Sequence, residues 1–176
     1  MAKFVCALNQ SLDGIIDHDA PGMVPTPALF QHFTDEVRGL AGSLYGRVMY
    51  ETMRYWDTDQ ADWGEAEREY AAVWRAQPKW VVSTTLEDVG PNATLIRSDV
   101  EAAARRLKDE VDGQVEVAGP TLAGSLAGLI DEYQIYLHPV VVGSGKRFFA
   151  GPPPALQLIR NEPIDGSVVR LTYAPA

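Results

Sequence analysis

The chain has 176 residues, 46% apolar and 22% charged, a size and composition that suit one self-standing globular domain and exclude disorder. With 15 Lys and Arg against 24 Asp and Glu the net charge is −9, which disfavours sequence-independent binding to nucleic acid, because phosphates need neutralising cations. A single cysteine, Cys6, excludes an internal disulfide and a thiolate metal cluster and reads as a core thiol.

No stretch approaches the ~20 apolar residues of a membrane span, and Met1 to Cys6 run straight into an apolar strand with no signal-peptide pattern. A cytoplasmic protein is expected, in which the Asn-x-Ser/Thr triplets at Asn9 and Asn92 go unused. Lys3 to Leu8 is read as a buried strand, and Asn9 to Gly14 as a polar loop with a glycine turn. Pro21, Pro25 and Pro27 forbid a helix until Leu29, Phe30, Phe33, Val37 and Leu40 recur at helical spacing, so a helix is predicted over 27–39. Ser43 to Tyr45 is a short strand, Gly46-Arg47 a junction, and Val48 to Met53 the start of another helix. A loop rich in Trp and Asp leads to an amphipathic helix over 64–77, which Pro78 closes before a strand at Lys79 to Ser83.

Ser98 and Glu101 have capping-box spacing, and Val100, Ala103, Ala104, Leu107 and Val111 form the apolar stripe of the helix that follows. Gln114 to Ala118 is a strand, Thr121 to Leu129 a helix and Tyr133 to Leu137 a strand. Leu156 to Arg160 and Val168 to Tyr173 are separated only by a turn, Pro163 to Gly166, and should pair as an antiparallel hairpin at the sheet edge. Strand and helix alternation predicts an α/β fold in three layers: a mostly parallel sheet with helices on both faces and that hairpin at its end. Without repeats or linkers, residues 1–176 form one domain.

Two strand–glycine–helix junctions carry the chemistry. Gly119 follows a strand and Thr121 opens a helix; Gly46 precedes Arg47 in the same way. Free amides at a helix start attract a phosphate, glycine lets backbone approach it, and a guanidinium grips it with two donors. Neither junction is a G-x-G-x-x-G fingerprint, and Gly145-Lys146 lacks the first glycine of a P-loop because position 140 is Val140.

These blocks carry a family resemblance across nearly the whole chain. Ser11-Leu12-Asp13-Gly14, Tyr45-Gly46-Arg47, Val117-Ala118-Gly119-Pro120-Thr121-Leu122, Gly128-Leu129-Ile130-Asp131-Glu132 and His138-Pro139-Val140-Val141-Val142-Gly143-Ser144-Gly145-Lys146 stand in the order found in dihydrofolate-reductase-like domains. The chain most resembles the C-terminal reductase domain of the riboflavin-biosynthesis deaminase/reductase. The resemblance implies an NADPH cofactor across the carboxyl ends of the strands, with Ala7 and Leu8 beside the nicotinamide and Gly46 and Arg47 at the phosphates. Ser83 and Thr84 fall at the adenosine end, and Gly119, Pro120, Thr121 and Leu122 over the pyrophosphate. The family often has Gly at the position of Ala118 and Arg at that of Thr84. The carboxylate that dihydrofolate reductases carry on the first helix is also absent, since Leu29 to Phe33 stand there and Asp35 and Glu36 come a turn later.

Hydride transfer asks mainly for positioning, because the cofactor carries the reaction. For the accompanying proton Asp13 is the first candidate and His32 the second; Asp13-Gly14 alone is also an ordinary turn. His138 reads as structural, His18 as exposed loop, and no His/Asp/Glu spacing marks a metal site. Trp56 and Trp63 border the loop rich in Trp and Asp, where burial is the default reading and stacking on a planar substrate the alternative. The implied function is reduction by NADPH of a small heterocyclic or imine substrate, as in 5-amino-6-(5-phosphoribosylamino)uracil reductase. The alternatives are a diverged stand-alone reductase of a pteridine-like compound, or a non-catalytic dinucleotide-binding domain. Ile135, Leu137, Val140 and Val142, with the habit of the family, suggest a homodimer.

Overall fold

In the computed structural model, which describes residues 1–176, the first strand, β1 (Ala2–Ser11), sits near the middle of the sheet. Around it stand β2 (Gly42–Gly46), β3 (Lys79–Val82), β4 (Ala93–Ile96), β5 (Gly113–Ala118), β6 (Glu132–His138), β7 (Leu156–Pro163) and β8 (Val169–Pro175). The order is β4-β3-β2-β5-β1-β6-β8-β7, and every pair is parallel except β6–β8 and β7–β8. The C-terminal strands therefore form the expected antiparallel hairpin, with β8 inserted beside β6 and β7 at the edge.

The helices are α1 (Pro27–Gly39), α2 (Arg47–Met53), α3 (Glu65–Ala76), α4 (Val100–Glu110) and α5 (Pro120–Ser125). Strand side chains alternate between faces. Phe4, Cys6, Leu44, Val115 and Val117 point to one face and pack with Ala104 of α4 and with Leu122 and Ala123 of α5. On the other face Leu29 of α1 meets Tyr136, and Tyr50 of α2 meets Tyr45, Val81 and Ala118. Trp74 of α3 donates its indole N–H to the Tyr45 hydroxyl there, at 3.1 Å. The three predicted layers are present.

Thr26 caps α1, its hydroxyl accepting the Leu29 amide at 3.2 Å, and Pro27 takes the first turn, where a missing N–H costs nothing. The start of α4 corrects the sequence reading. Ser98 and Glu101 do not form a capping box: Asp99 takes the N-cap position with φ 51°, Ser98 bonds to Asp99, and Glu101 pairs with Arg105 at 2.7 Å. Spacing alone does not supply the extended N-cap backbone that a box requires. The reciprocal contact appears instead at α3, where the Glu67 carboxylate accepts the Gly64 amide at 3.0 Å. Helix α5 ends at Ser125, and only a separate 3-10 turn, Ala127–Leu129, continues the stretch read as one helix. Strand β4 carries no clear alternation and is an addition to the predicted set.

Candidate functional site

Strand β2 leads outward to β3 and β5 leads the other way to β6, so their neighbouring carboxyl ends open a crevice where the winding of the chain reverses. Open α/β sheets hold ligands at this point. Tyr45 pairs with Ala118 in the ladder, which brings the next residues, Gly46 and Gly119, side by side. Gly119 has φ 119°, a conformation that side chains other than hydrogen resist, and a Cβ there would lie 3.8 Å from the Gly46 nitrogen. A Cβ on Gly46 would stand 3.7 Å from Leu122. Two junctions read separately in the sequence thus form one cradle of bare backbone.

Helix α2 begins at Arg47 and α5 at Pro120, neither with a side-chain cap. In α5 the first intrahelical bond runs from Ala123 N–H to Gly119 carbonyl at 2.9 Å, leaving the Thr121 and Leu122 amides without helical acceptors. Arg47 is exposed at the rim and is held only by Glu51, one turn on, at 2.8 Å. Such an exposed pair is weak and yields to a better anion.

Ser83 directly follows the next strand over, β3. Its buried hydroxyl accepts the Thr85 and Leu86 amides at 3.1 and 3.0 Å, so it shapes the turn, while Thr84 is exposed. On the far side of the crevice β1 and β5 stay paired only as far as Val5 and Glu116, after which β1 runs on with β6 alone. Ala7 and Leu8 lie just beyond this parting, Ala7 towards α1 and Leu8 towards the α4–α5 core.

Asp13 has a different setting. Its carboxylate accepts the Ser11 hydroxyl at 2.6 Å and the Val142 and Gly143 amides at 3.1 and 2.7 Å. The Ser11 bond first, then the two amides, hold it down at about 2. A carboxylate that ionised accepts protons poorly and has none to give near neutral pH; this arrangement anchors the 142–143 loop to the end of β1.

His32 sits on α1 with its Nε2 3.0 Å from the Tyr136 hydroxyl, and burial lowers its tendency to take up a proton. His138 is buried with Nε2 2.7 Å from Asn9 Oδ1. His18 is exposed between Asp17 and Asp19. Trp63 is buried and donates to the Tyr55 hydroxyl at 2.8 Å, and Trp56 packs 4.7 Å from Tyr70, so both belong first to an aromatic cluster between α1 and α3. Ile135 is buried in the core on the α4–α5 face of the sheet, which removes it from any outward face for a second copy.

Glu116 was missed in the sequence. On the α1–α3 face of β5 its Oε2 lies 3.4 Å from the Ser43 hydroxyl, which is nearer to Gln77 at 3.0 Å. Burial pushes its carboxyl up to about 7, with the Ser43 bond opposing and the Glu36 charge adding to the rise. The signal was available: in Gln114-Val-Glu-Val-Ala118 an acid interrupts a strand that a parallel sheet buries on both faces.

A family model described as the RibD C-terminal domain matches residues 2–169. The uncharacterized protein YyaP of Bacillus subtilis is 25% identical over 179 residues, spanning 97% of this chain and 94% of its own. Three solved structures are similar in fold. A Shewanella sp. PV-4 protein provisionally assigned to riboflavin biosynthesis has TM-score 0.71 and 20% identity, over 100% of this chain and 99% of its own. The Thermotoga maritima diaminohydroxyphosphoribosylaminopyrimidine deaminase/5-amino-6-(5-phosphoribosylamino)uracil reductase gives 0.69 at 16% identity, over 99% of this chain but 57% of its own. Enterococcus faecalis dihydrofolate reductase, complexed with NADP(H), gives 0.65 at 14% identity, over 98% and 95%. With its dihydrofolate-reductase-like sheet, its paired glycine junctions and a family match over nearly its whole length, the chain belongs to the RibD C-terminal domain family.

Proposed function

We propose that the protein is an NADPH-dependent reductase of a small heterocyclic or imine substrate. The observation that carries this reading is the cradle formed by Gly46 and Gly119 at the reversal of the sheet. Its bare backbone, the free amides of Thr121 and Leu122, and Arg47 at the rim match the chemistry of a dinucleotide's pyrophosphate. When bound, the cofactor supplies a hydride from its nicotinamide ring. The chain supplies the rest: Gly46, Arg47, Gly119, Pro120, Thr121 and Leu122 hold the phosphates, Ser83 and Thr84 border the adenosine end, and Ala7 and Leu8 face the nicotinamide.

The substrate side lies on the α1–α3 face beyond Ala7. The similarity to a uracil-derivative reductase supports an aminopyrimidine bearing a sugar imine, and the family's habit supports a homodimer in the cytoplasm. Calorimetric titration with NADPH and then NADH tests the cofactor. NADPH should bind, and Arg47→Ala should weaken it about tenfold, the loss of roughly one charge-assisted contact. Failure of both cofactors to bind would reduce the conclusion to fold and family.

A further inference from the structure

On the apolar face of the sheet, beside α5, lies a cavity of about 120 Å³. Its floor is made by Cys6 of β1 and Tyr133 of β6, which pair in the ladder and share one face. Ala123 and Gly124 of α5, with Ala127 in the turn that follows, form a wall of small side chains, and the loop from Phe148 to Pro153 forms the roof. No lining side chain is a formal charge carrier, and burial keeps the Cys6 thiol protonated, pushed up to about 12. Such a lining is closed to ions and open to a neutral guest.

The roof is held by packing alone. The rings of Phe148 and Phe149 stand 4.8 Å apart, and Phe149 lies 5.5 Å from Tyr133. Residues 148–154 make no backbone hydrogen bond to another segment, and the prolines at 152–154 have no N–H to give. A roof without hydrogen bonds shifts without breaking any, so it can admit a guest and close around it.

The cavity also holds an unmet polar group. Tyr133 is only 2% exposed, yet its hydroxyl makes no hydrogen bond; it is not sealed in, since among buried side-chain polar atoms only Thr172 Oγ1 is sealed without a partner. A buried tyrosine hydroxyl ordinarily finds a partner. Water fills such a role where two to four polar groups surround it, and here the side chains offer one hydroxyl and one weakly bonding thiol. Dry cavities of about 150 Å³ lined by aliphatic and aromatic side chains take up benzene, so a slightly smaller one with a movable roof suits a single five- or six-membered ring.

We propose that this cavity binds a neutral monocyclic ring compound with one hydrogen-bonding substituent, which pairs with the Tyr133 hydroxyl while the ring packs between α5 and the Phe148–Phe149 roof. The site stands on residues distinct from the Gly46–Gly119 cradle and does not rest on the reductase reading.

The test titrates phenol into wild type, Tyr133→Phe and Ala127→Leu, followed by amide NMR shifts, with benzene as control. In wild type, saturable shifts are expected at Ala123, Gly124, Ala127 and Phe149. Tyr133→Phe keeps the ring and removes the hydroxyl, so phenol should bind about tenfold more weakly, one hydrogen bond lost, while benzene binds as in wild type. Ala127→Leu fills the void and should abolish binding of both. If leucine there disturbs folding, seen as lost amide dispersion, the comparison of wild type with Tyr133→Phe decides alone. Absence of saturable shifts in wild type would mean a void that holds only solvent and overturns the proposal. Equal phenol affinity in wild type and Tyr133→Phe, or binding that survives in folded Ala127→Leu, overturns it as well.

Discussion

The two faces of the one sheet differ in what they bury. Beneath α4 and α5 lie Phe4, Cys6, Leu44, Val115 and Val117, all at 0% exposure, and Cys6 is so dry that its thiol is pushed up to about 12. Beneath α1 and α3 lie Ser43, Glu116, Gln134, Tyr136, Arg170 and Thr172. Some are satisfied: Arg170 donates to Glu36 and Glu162, both at 2.9 Å, and to the Tyr136 hydroxyl at 3.3 Å. Thr172 Oγ1 alone is sealed away without a partner, and Glu116 has only the long Ser43 contact. Such a sealed, unpaired group costs about 1–3 kcal/mol. The difference teaches that one face is held by apolar packing and the other by buried hydrogen bonds and ion pairs.

Removing packing from the dry face should have the largest effect. Leu44→Ala leaves a cavity where exposure is 0% and should cost about 2–5 kcal/mol in denaturant unfolding; a loss under 1 kcal/mol would deny that this face is the packed core.

On the polar face the sign reverses. Burial raises the Glu116 carboxyl from 4.5 to about 7, so between those values the folded chain keeps a proton that the unfolded chain has released. Stability from this group is therefore greatest below pH 4.5, falls as pH rises to about 7, and stays low above. Glu116→Gln should remove that fall and gain about 3 kcal/mol at pH 8, the full size of the shift. Parallel stability–pH curves for the two proteins would show the carboxyl to be ordinarily solvated.

Smaller still is Arg47→Ala at the rim, where the exposed pair with Glu51 implies a stability change within about 0.5 kcal/mol. Its thermal midpoint should hold while NADPH affinity drops, separating a binding residue from a structural one. Asp13→Asn should have the least effect on global unfolding. It weakens the hold on the Val142 and Gly143 amides, which should exchange hydrogen faster with the rest of the pattern unchanged. Unchanged exchange at both would remove the anchoring role.

Much of the fold was legible because its signals are local. Pro27 and the Leu29–Phe33–Val37 spacing place α1, and the short Pro163–Gly166 turn imposes an antiparallel pair at the end. Strand β4 was not legible: Ala93 to Ile96 is a short, partly exposed run whose place is decided by pairing with β3. The capping box at Ser98 failed for a related reason, since the backbone at Asp99 enters the helix from a left-handed conformation that spacing does not encode.

By itself the sequence determined the fold class, the family, and the two glycine junctions between strand and helix, because periodicity, turn chemistry and glycine's freedom act over a few residues. Only the tertiary structure decided that Gly46 and Gly119 share one cradle, that Asp13 ties down a loop, and that Glu116 is left short of a partner. Each of these depends on residues distant in the chain, and on which face of a strand a side chain is buried. Burial sets the protonation of a carboxyl, and packing across the sheet sets burial.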